Sequence, residues 1–255
     1  LGERQLNYGS LIVYTSADSD LQIAAHEDII SAEQLYDYCE KVRELTMRED
    51  FLVARVIARP FTGKNGKFKL NNAGRKDYSI SPPKKTILDD LNENGYNVIV
   101  IGKINDIFAE QGINKALKAT NNQEALNKLS SIMDKNFTGL CMVNLADFDN
   151  LYGHLRDVEG YGKALEDLDV EMPLLLNRLE MDDLLIITAD HGNDPTFKGN
   201  DHTRENVPII MYCRNFKTPH RLEPQETLAC IGATIADNFD LEPPEIGTSL
   251  LDNFD

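Results

Sequence analysis

Two short stretches of this chain place metal-ligating side-chain types directly behind apolar runs. The run Leu184 to Thr188 opens onto Ala189-Asp190-His191-Gly192-Asn193-Asp194-Pro195-Thr196, with Asp201-His202-Thr203-Arg204 close behind. The segment Asn144-Leu145-Ala146-Asp147-Phe148-Asp149-Asn150-Leu151-Tyr152-Gly153-His154 also follows an apolar run and again offers carboxylates and an imidazole. Three of the five histidines of the chain fall in these two segments, which argues against chance placement. Carboxylate oxygen and imidazole nitrogen suit Zn²⁺ or Mn²⁺. Pooling the segments gives Asp149, His154, Asp190, His191 and His202 as candidate direct ligands. Asp147 and Asp201 are alternates, or partners that orient an imidazole. Taken singly, an Asp at a strand end also reads as a helix N-cap, and a lone His as a hydrogen-bonded structural group.

Such side chains converge when their strands are parallel and end at a common crevice, so the elements around them matter. Apolar runs at 11–15, 52–58, 97–101, 140–145, 184–189 and 207–212 read as strands. Between the first two, Ser31-Ala32-Glu33-Gln34 forms a capping box ahead of Leu35, Cys39, Val42 and Leu45 at helical spacing. Further helices are predicted at 86–94, 124–135 and 160–179, the last kinked by Pro173, and a closing helix presents Leu228, Ile231 and Ile235. The alternation predicts an α/β fold with a parallel sheet. Gly63, Gly66 and Gly74 among Lys and Asn residues read as an irregular loop, and Ser81-Pro82-Pro83-Lys84-Lys85 as a linker. The expected domains are therefore 1–82 and 83–255.

Composition limits the partners. With 42 acidic against 26 basic residues, the formal charge of -16 repels nucleic acid and anionic membranes. Anionic substrates then require metal ions or a few placed Arg and Lys. The four cysteines are scattered and form no CxxC pair, which reads as reduced thiols in a cytoplasmic protein. No apolar run approaches the length of a membrane span, and no signal segment opens the chain. The first residue is Leu1, and a natural start upstream is expected.

The block Ile187 to Thr196 with Asp201-His202-Thr203-Arg204-Glu205 and Val207-Pro208, together with Asp147-Phe148-Asp149 and Leu151-Tyr152-Gly153-His154, closely resembles the phosphopentomutase family of the alkaline phosphatase superfamily. Tyr14-Thr15-Ser16-Ala17-Asp18-Ser19, Gln22 to Glu27 and Arg55 to Phe61 look like that family's cap domain. The resemblance implies an alkaline-phosphatase-like core, a parallel-rich sheet flanked by helices, with a smaller α/β cap. Residues 1–82 would be the cap and 83–255 the C-terminal part of the core. It implies two Mn²⁺ ions, one held by Asp149, His154 and His202 and the other by Asp190 and His191. The implied reaction interconverts ribose or deoxyribose 1-phosphate and 5-phosphate, as in nucleoside salvage, through a phosphothreonine and a bisphosphate, with a sugar bisphosphate as activator. Ser16 and Asp18 would contact the sugar, Arg55 the distal phosphate, and Lys103 the substrate phosphate.

Asp20 departs from the family's small apolar residue, and Asn200 and Asn206 replace more typical neighbours of the motif. The family's N-terminal core segment, which supplies a further Asp ligand and the nucleophilic Thr, has no counterpart here, so no Thr of this chain is assigned as nucleophile. The expectation is a fragment with a complete site at Asp149, His154 and His202 and a weakened one at Asp190 and His191. Such a fragment would be poorly soluble or associated with its missing segment. The competing expectations are a cofactor-independent phosphoglycerate mutase or metal phosphatase of the same superfamily, and a non-catalytic metal-binding fragment.

Overall fold

The computed structural model describes residues 1–15 and 20–254. It divides the chain into two compact units, Leu1–Pro83 with Asp106–Glu110, and Lys84–Asn105 with Gln111–Asp255. Ser16 and Asp18 lie outside the described residues.

The first unit runs α1 (Gly2–Tyr8), β1 (Ile12–Thr15), β2 (Asp20–His26), α2 (Ala32–Leu45), β3 (Arg55–Lys64), β4 (Lys67–Leu70) and β5 (Lys76–Ser79). The sheet order is β1-β2-β3-β4, with β5 also on β3; β2 and β3 are parallel and the other pairs antiparallel. Strand alternation sends Ile23 and Ala25 of β2 and Val56 and Ala58 of β3 to one face. Leu35 and Cys39, one helical turn apart on α2, close over them to form a buried core. Burial raises the Cys39 thiol to about 12, so it stays protonated and unreactive.

The predicted capping box is formed: Ser31 Oγ accepts from Gln34 N at 3.2 Å and Gln34 Oε1 accepts from Ser31 N at 3.3 Å. Ser31→Ala should therefore lower stability by about 1 kcal/mol in urea unfolding. An unchanged midpoint would show that the box contributes nothing.

Two sequence expectations are corrected here. The strand expected at 52–58 starts at Arg55 and continues through Pro60 to Lys64. Proline is tolerated because the outer partner of β3 changes there, from β5 at 55–58 to β4 at 61–64, so no ladder hydrogen bond is lost. The Pro60 carbonyl instead accepts from Asn71 N at 2.8 Å. The supposed irregular loop is a β-hairpin around Gly63 and Gly66, followed by a 3-10 turn, Asn72–Gly74. Asn65 and Gly66 both have positive φ, 57° and 75°, and form the tight Asn-Gly turn that joins β3 to β4.

The second unit comprises α3 (Ile87–Glu93), β6 (Asn97–Ile101), the start of the short α4 (Ile104–Ile107), β7 (Lys115–Leu117), α5 (Asn122–Met133) and β8 (Gly139–Val143). It continues through a π-helical turn (Phe148–Gly153), α6 (Val158–Arg178), β9 (Leu185–Thr188), β10 (Ile209–Tyr212) and α7 (Ala229–Asn238). Strand β6 lies between β7 and β8 and is parallel to both. Ile99 and Ile101 of β6 pack with Ala125 and Ile132 of α5. The carboxyl ends of β6 and β8 lie side by side, with Asn144 N donating to Ile101 O at 3.0 Å.

The last strand does not extend that parallel sheet. β10 pairs antiparallel with β9 in a separate two-stranded sheet. The predicted long helix is present as α6, with Pro173 inside it. No helix among the described residues is long and apolar enough to cross a membrane. The architecture is mixed α/β with parallel-rich sheets and flanking helices.

Candidate metal centre

The chain after β8 does not continue as an ordinary helix. In an α-helix, residues five apart point about 140° away from one another. In the π-helical turn the His154 N–H instead donates to Asp149 O at 2.9 Å, an i to i+5 bond that brings the two residues onto one side. His154 Nε2 then lies 3.3 Å from Asp149 Oδ1.

The third member comes from the segment beyond β9. Gly192 and Thr203 form an antiparallel bridge, with Thr203 N donating to Gly192 O at 2.9 Å, so residues 193–202 form a loop closed at its base. His202 at the end of that loop puts Nε2 3.3 Å from the same Asp149 Oδ1. Donor atoms of Asp149, His154 and His202 all lie within 4.8 Å of one another, and the three residues are half-buried. One carboxylate oxygen and two imidazole nitrogens meeting in this way suit a single divalent ion of the Mn²⁺ or Zn²⁺ type.

Neighbouring groups set the orientation of these donors. The Asn200 carbonyl, which only accepts, faces His154 Nδ1. An Nδ1–H donated to that carbonyl leaves Nε2 as the ring atom that faces Asp149 and could ligate, the usual way a ligating histidine is fixed. Asn193 Nδ2 donates to Asp149 Oδ1 at 2.7 Å. Gly153 permits this approach, since a Cβ there would lie 2.5 Å from Asn193 Nδ2. Asp194 is held below the usual carboxylate range mainly by the Thr196 hydroxyl and amide, helped by the charge of Arg156.

The remaining candidates are placed differently. His191 stacks on His202 with ring centroids 3.6 Å apart, and its Nε2 is 3.6 Å from Asp190 Oδ2. The Asp190 side chain is 68% exposed against 25% for Asp149, and no third donor joins the Asp190-His191 pair among the described residues. Asp147 does not orient an imidazole. Its carboxylate accepts from Asn122 N at 2.8 Å while Asn122 Oδ1 accepts from Asp147 N at 3.0 Å, which ties the start of α5 to this loop.

Lys103 Nζ donates to Asn150 Oδ1 at 3.0 Å, beside an 80 Å³ cavity lined by Thr120, Asn121, Asn144 and Ala146. In the first unit, Arg55 lies between two carboxylates, 3.9 Å from Asp20 and 4.0 Å from Asp77. Sequence reasoning passed over Asn193 and Arg156. Asn193 sits inside the motif but is not a charged or imidazole ligand type. Arg156 owes its position to a backbone φ of 56°, which residue identity does not announce.

A family model described as Metalloenzyme superfamily matches residues 30–243. Among solved structures, the chain is similar to phosphoglycerate mutase of Leishmania mexicana at low cobalt concentration, with a TM-score of 0.50 and 18% identity. The match covers 81% of this chain and 42% of the other, so this chain spans less than half the length of that protein.

Proposed function

We propose, from the premise that this chain belongs to the Metalloenzyme superfamily, that it carries the divalent-metal centre of a phosphoryl-transfer enzyme acting on pentose phosphates. The observation that carries the reading is the convergence of Asp149, His154 and His202 donors within 4.8 Å at the carboxyl side of β8 and β9. A divalent ion held there supplies concentrated positive charge to phosphoryl oxygens. A chain of net charge -16 cannot attract such oxygens through its overall field.

The chain's own residues have separable parts in this scheme. Asp149 contributes the only carboxylate of the cluster, and His154 and His202 its two imidazole nitrogens. Lys103 and the amides of Asn121, Asn144 and Asn150 offer a polar recess for an anionic or hydroxylated group. The resemblance makes Arg55, within its own unit 3.9 Å from Asp20 and 4.0 Å from Asp77, the candidate contact for a phosphate. Asp190 and His191 supply two donors of a second metal site, and the nucleophile is assigned to no residue of this chain. The finer reading is a phosphopentomutase with Mn²⁺, interconverting 1- and 5-phosphates of ribose or deoxyribose, supported by the resemblance of Tyr14 to Glu27 and Arg55 to Phe61 to that family's cap.

A second reading, a phosphoglycerate mutase, is favoured by the fold match to the Leishmania mexicana enzyme. Calorimetric titration of the Mn²⁺-loaded protein with ribose 5-phosphate and with 3-phosphoglycerate distinguishes the two. Saturable, metal-dependent binding of the pentose phosphate alone is expected. Binding of 3-phosphoglycerate alone would replace the first reading with the second.

A further inference from the structure

We infer that Arg156 is the positioning residue of this centre, a guanidinium clamp that holds the 193–202 loop against the π-helical turn and sets the direction of the Asp149 carboxylate. The inference rests on the metal-centre reading above and assigns a task to a residue outside the ligand set.

The side chain of Arg156 lies within hydrogen-bond distance of five oxygens, the two hydrogens of Nη1 being shared among three of them. Nη1 reaches Gly153 O at 2.9 Å, Asn193 Oδ1 at 2.6 Å and Asp194 O at 3.0 Å. Nη2 reaches Asp201 O, and Nε reaches Gly199 O. One acceptor closes the π-helical turn just before His154, and the other four are spread along the loop that ends at His202. All five are neutral carbonyl or amide oxygens, so the work is directional hydrogen bonding by a planar fork. A lysine keeps the charge but not that geometry.

The contact with Asn193 has a chemical consequence. A guanidinium has N–H donors and no acceptor, so the Asn193 oxygen must face Arg156. The amide nitrogen is then left to face Asp149 Oδ1, where it donates at 2.7 Å. A reversed amide would set its oxygen against the carboxylate. Through Asn193, Arg156 thus fixes Asp149; through Gly199 and Asp201, it fixes the strand of loop that carries both His202 and the Asn200 carbonyl bonded to His154 Nδ1. Each of the three candidate ligands is one link away from a group that Arg156 holds.

The backbone supports a role beyond packing. Arg156 adopts φ 56°, a left-handed conformation that non-glycine residues seldom occupy. Glycine would take it without strain. R156G therefore relieves the backbone while deleting the clamp, and separates the two effects.

The test is Co²⁺ titration followed by visible absorption and calorimetry on the full chain, with R156K, R156G and N193A beside it and apo-protein melting as the measure of fold. R156K and R156G should weaken Co²⁺ binding roughly 10- to 100-fold, the range for groups that orient metal ligands. N193A should weaken it in the same direction. The double variant R156K/N193A should be no weaker than R156K, because both act along one chain of hydrogen bonds. Millimolar guanidinium should restore part of the R156G affinity. Co²⁺ uptake by the unsubstituted chain with equal affinity in R156K and N193A overturns the clamp alone. Absence of uptake by the unsubstituted chain overturns the metal centre and the clamp with it. If either Arg156 variant fails to fold, N193A, which leaves the clamp's other four bonds in place, carries the test.

Discussion

Replacing Asp149 with Ala is expected to weaken Mn²⁺ binding by more than about 100-fold, beyond the roughly 10- to 100-fold cost of losing a group that merely orients a ligand. The expectation follows from its central place. The same Oδ1 atom lies 3.3 Å from His154 Nε2 and 3.3 Å from His202 Nε2, and it is the only carboxylate of the cluster. Without it, two imidazoles remain, and the carboxylate charge that favours a divalent ion over water is gone. His202→Ala should act in the same direction and also remove the ring on which His191 stacks. Asp190→Ala, altering a largely exposed side chain outside the cluster, should have a smaller effect. Stability should move the other way or not at all, since ligand sets are commonly assembled at some cost to the apo fold. Mn²⁺ titration by calorimetry or electron paramagnetic resonance, with apo melting curves, checks both halves. Undiminished affinity in Asp149→Ala would remove the basis of the proposed centre.

The largest stability effect is expected from Ile101→Ala, a loss of about 2–5 kcal/mol in urea unfolding, as for other buried aliphatic residues cut to alanine. Ile101 is fully buried at the end of the central strand β6 and packs with Ile99, Ala125 and Ile132. It also immediately precedes Gly102 and Lys103, and its carbonyl accepts from Asn144 N. A cavity there loosens the junction between β6 and β8 as well as the helix behind them. Met142, on neighbouring β8 but 40% exposed, is the control, and its replacement by Ala should change little. Equal losses at both positions would show that burial on β6 does not dominate this unit.

The legible parts of this chain were those where one local rule and one packing surface agree. Ser31 and Gln34 marked a helix start, Leu35 and Cys39 its buried side, and the apolar run at 97–101 a buried strand, because each pattern depends on near neighbours alone. β2 was harder to see, since Asp20, Gln22 and His26 interrupt its apolar residues. His26 is nonetheless almost wholly buried, with Nε2 2.7 Å from Gly63 O and Nδ1 accepting from Asp28 N. The Asn65-Gly66 turn was written plainly in the residues, yet the Lys and Asn around it suggested a loop. The antiparallel pairing of β10 depends on long-range register, which no local pattern carries. At the site, Asp149, His154 and His202 stood out by type and by position after apolar runs. Arg156 and Asn193 did not, because their tasks exist only once residues far apart in the chain have been brought together.

The π-helical turn also bears on how such centres are searched for in other sequences. Pattern scans for helical metal sites look for ligand types three or four positions apart, the separations that an ordinary helix aligns. Asp149 and His154 are separated by five and would be passed over. One added residue, absorbed as a wider turn, keeps the pair aligned while changing the text of the motif. A search vocabulary that admits this longer interval behind an apolar strand would recover sites of this kind from sequence alone.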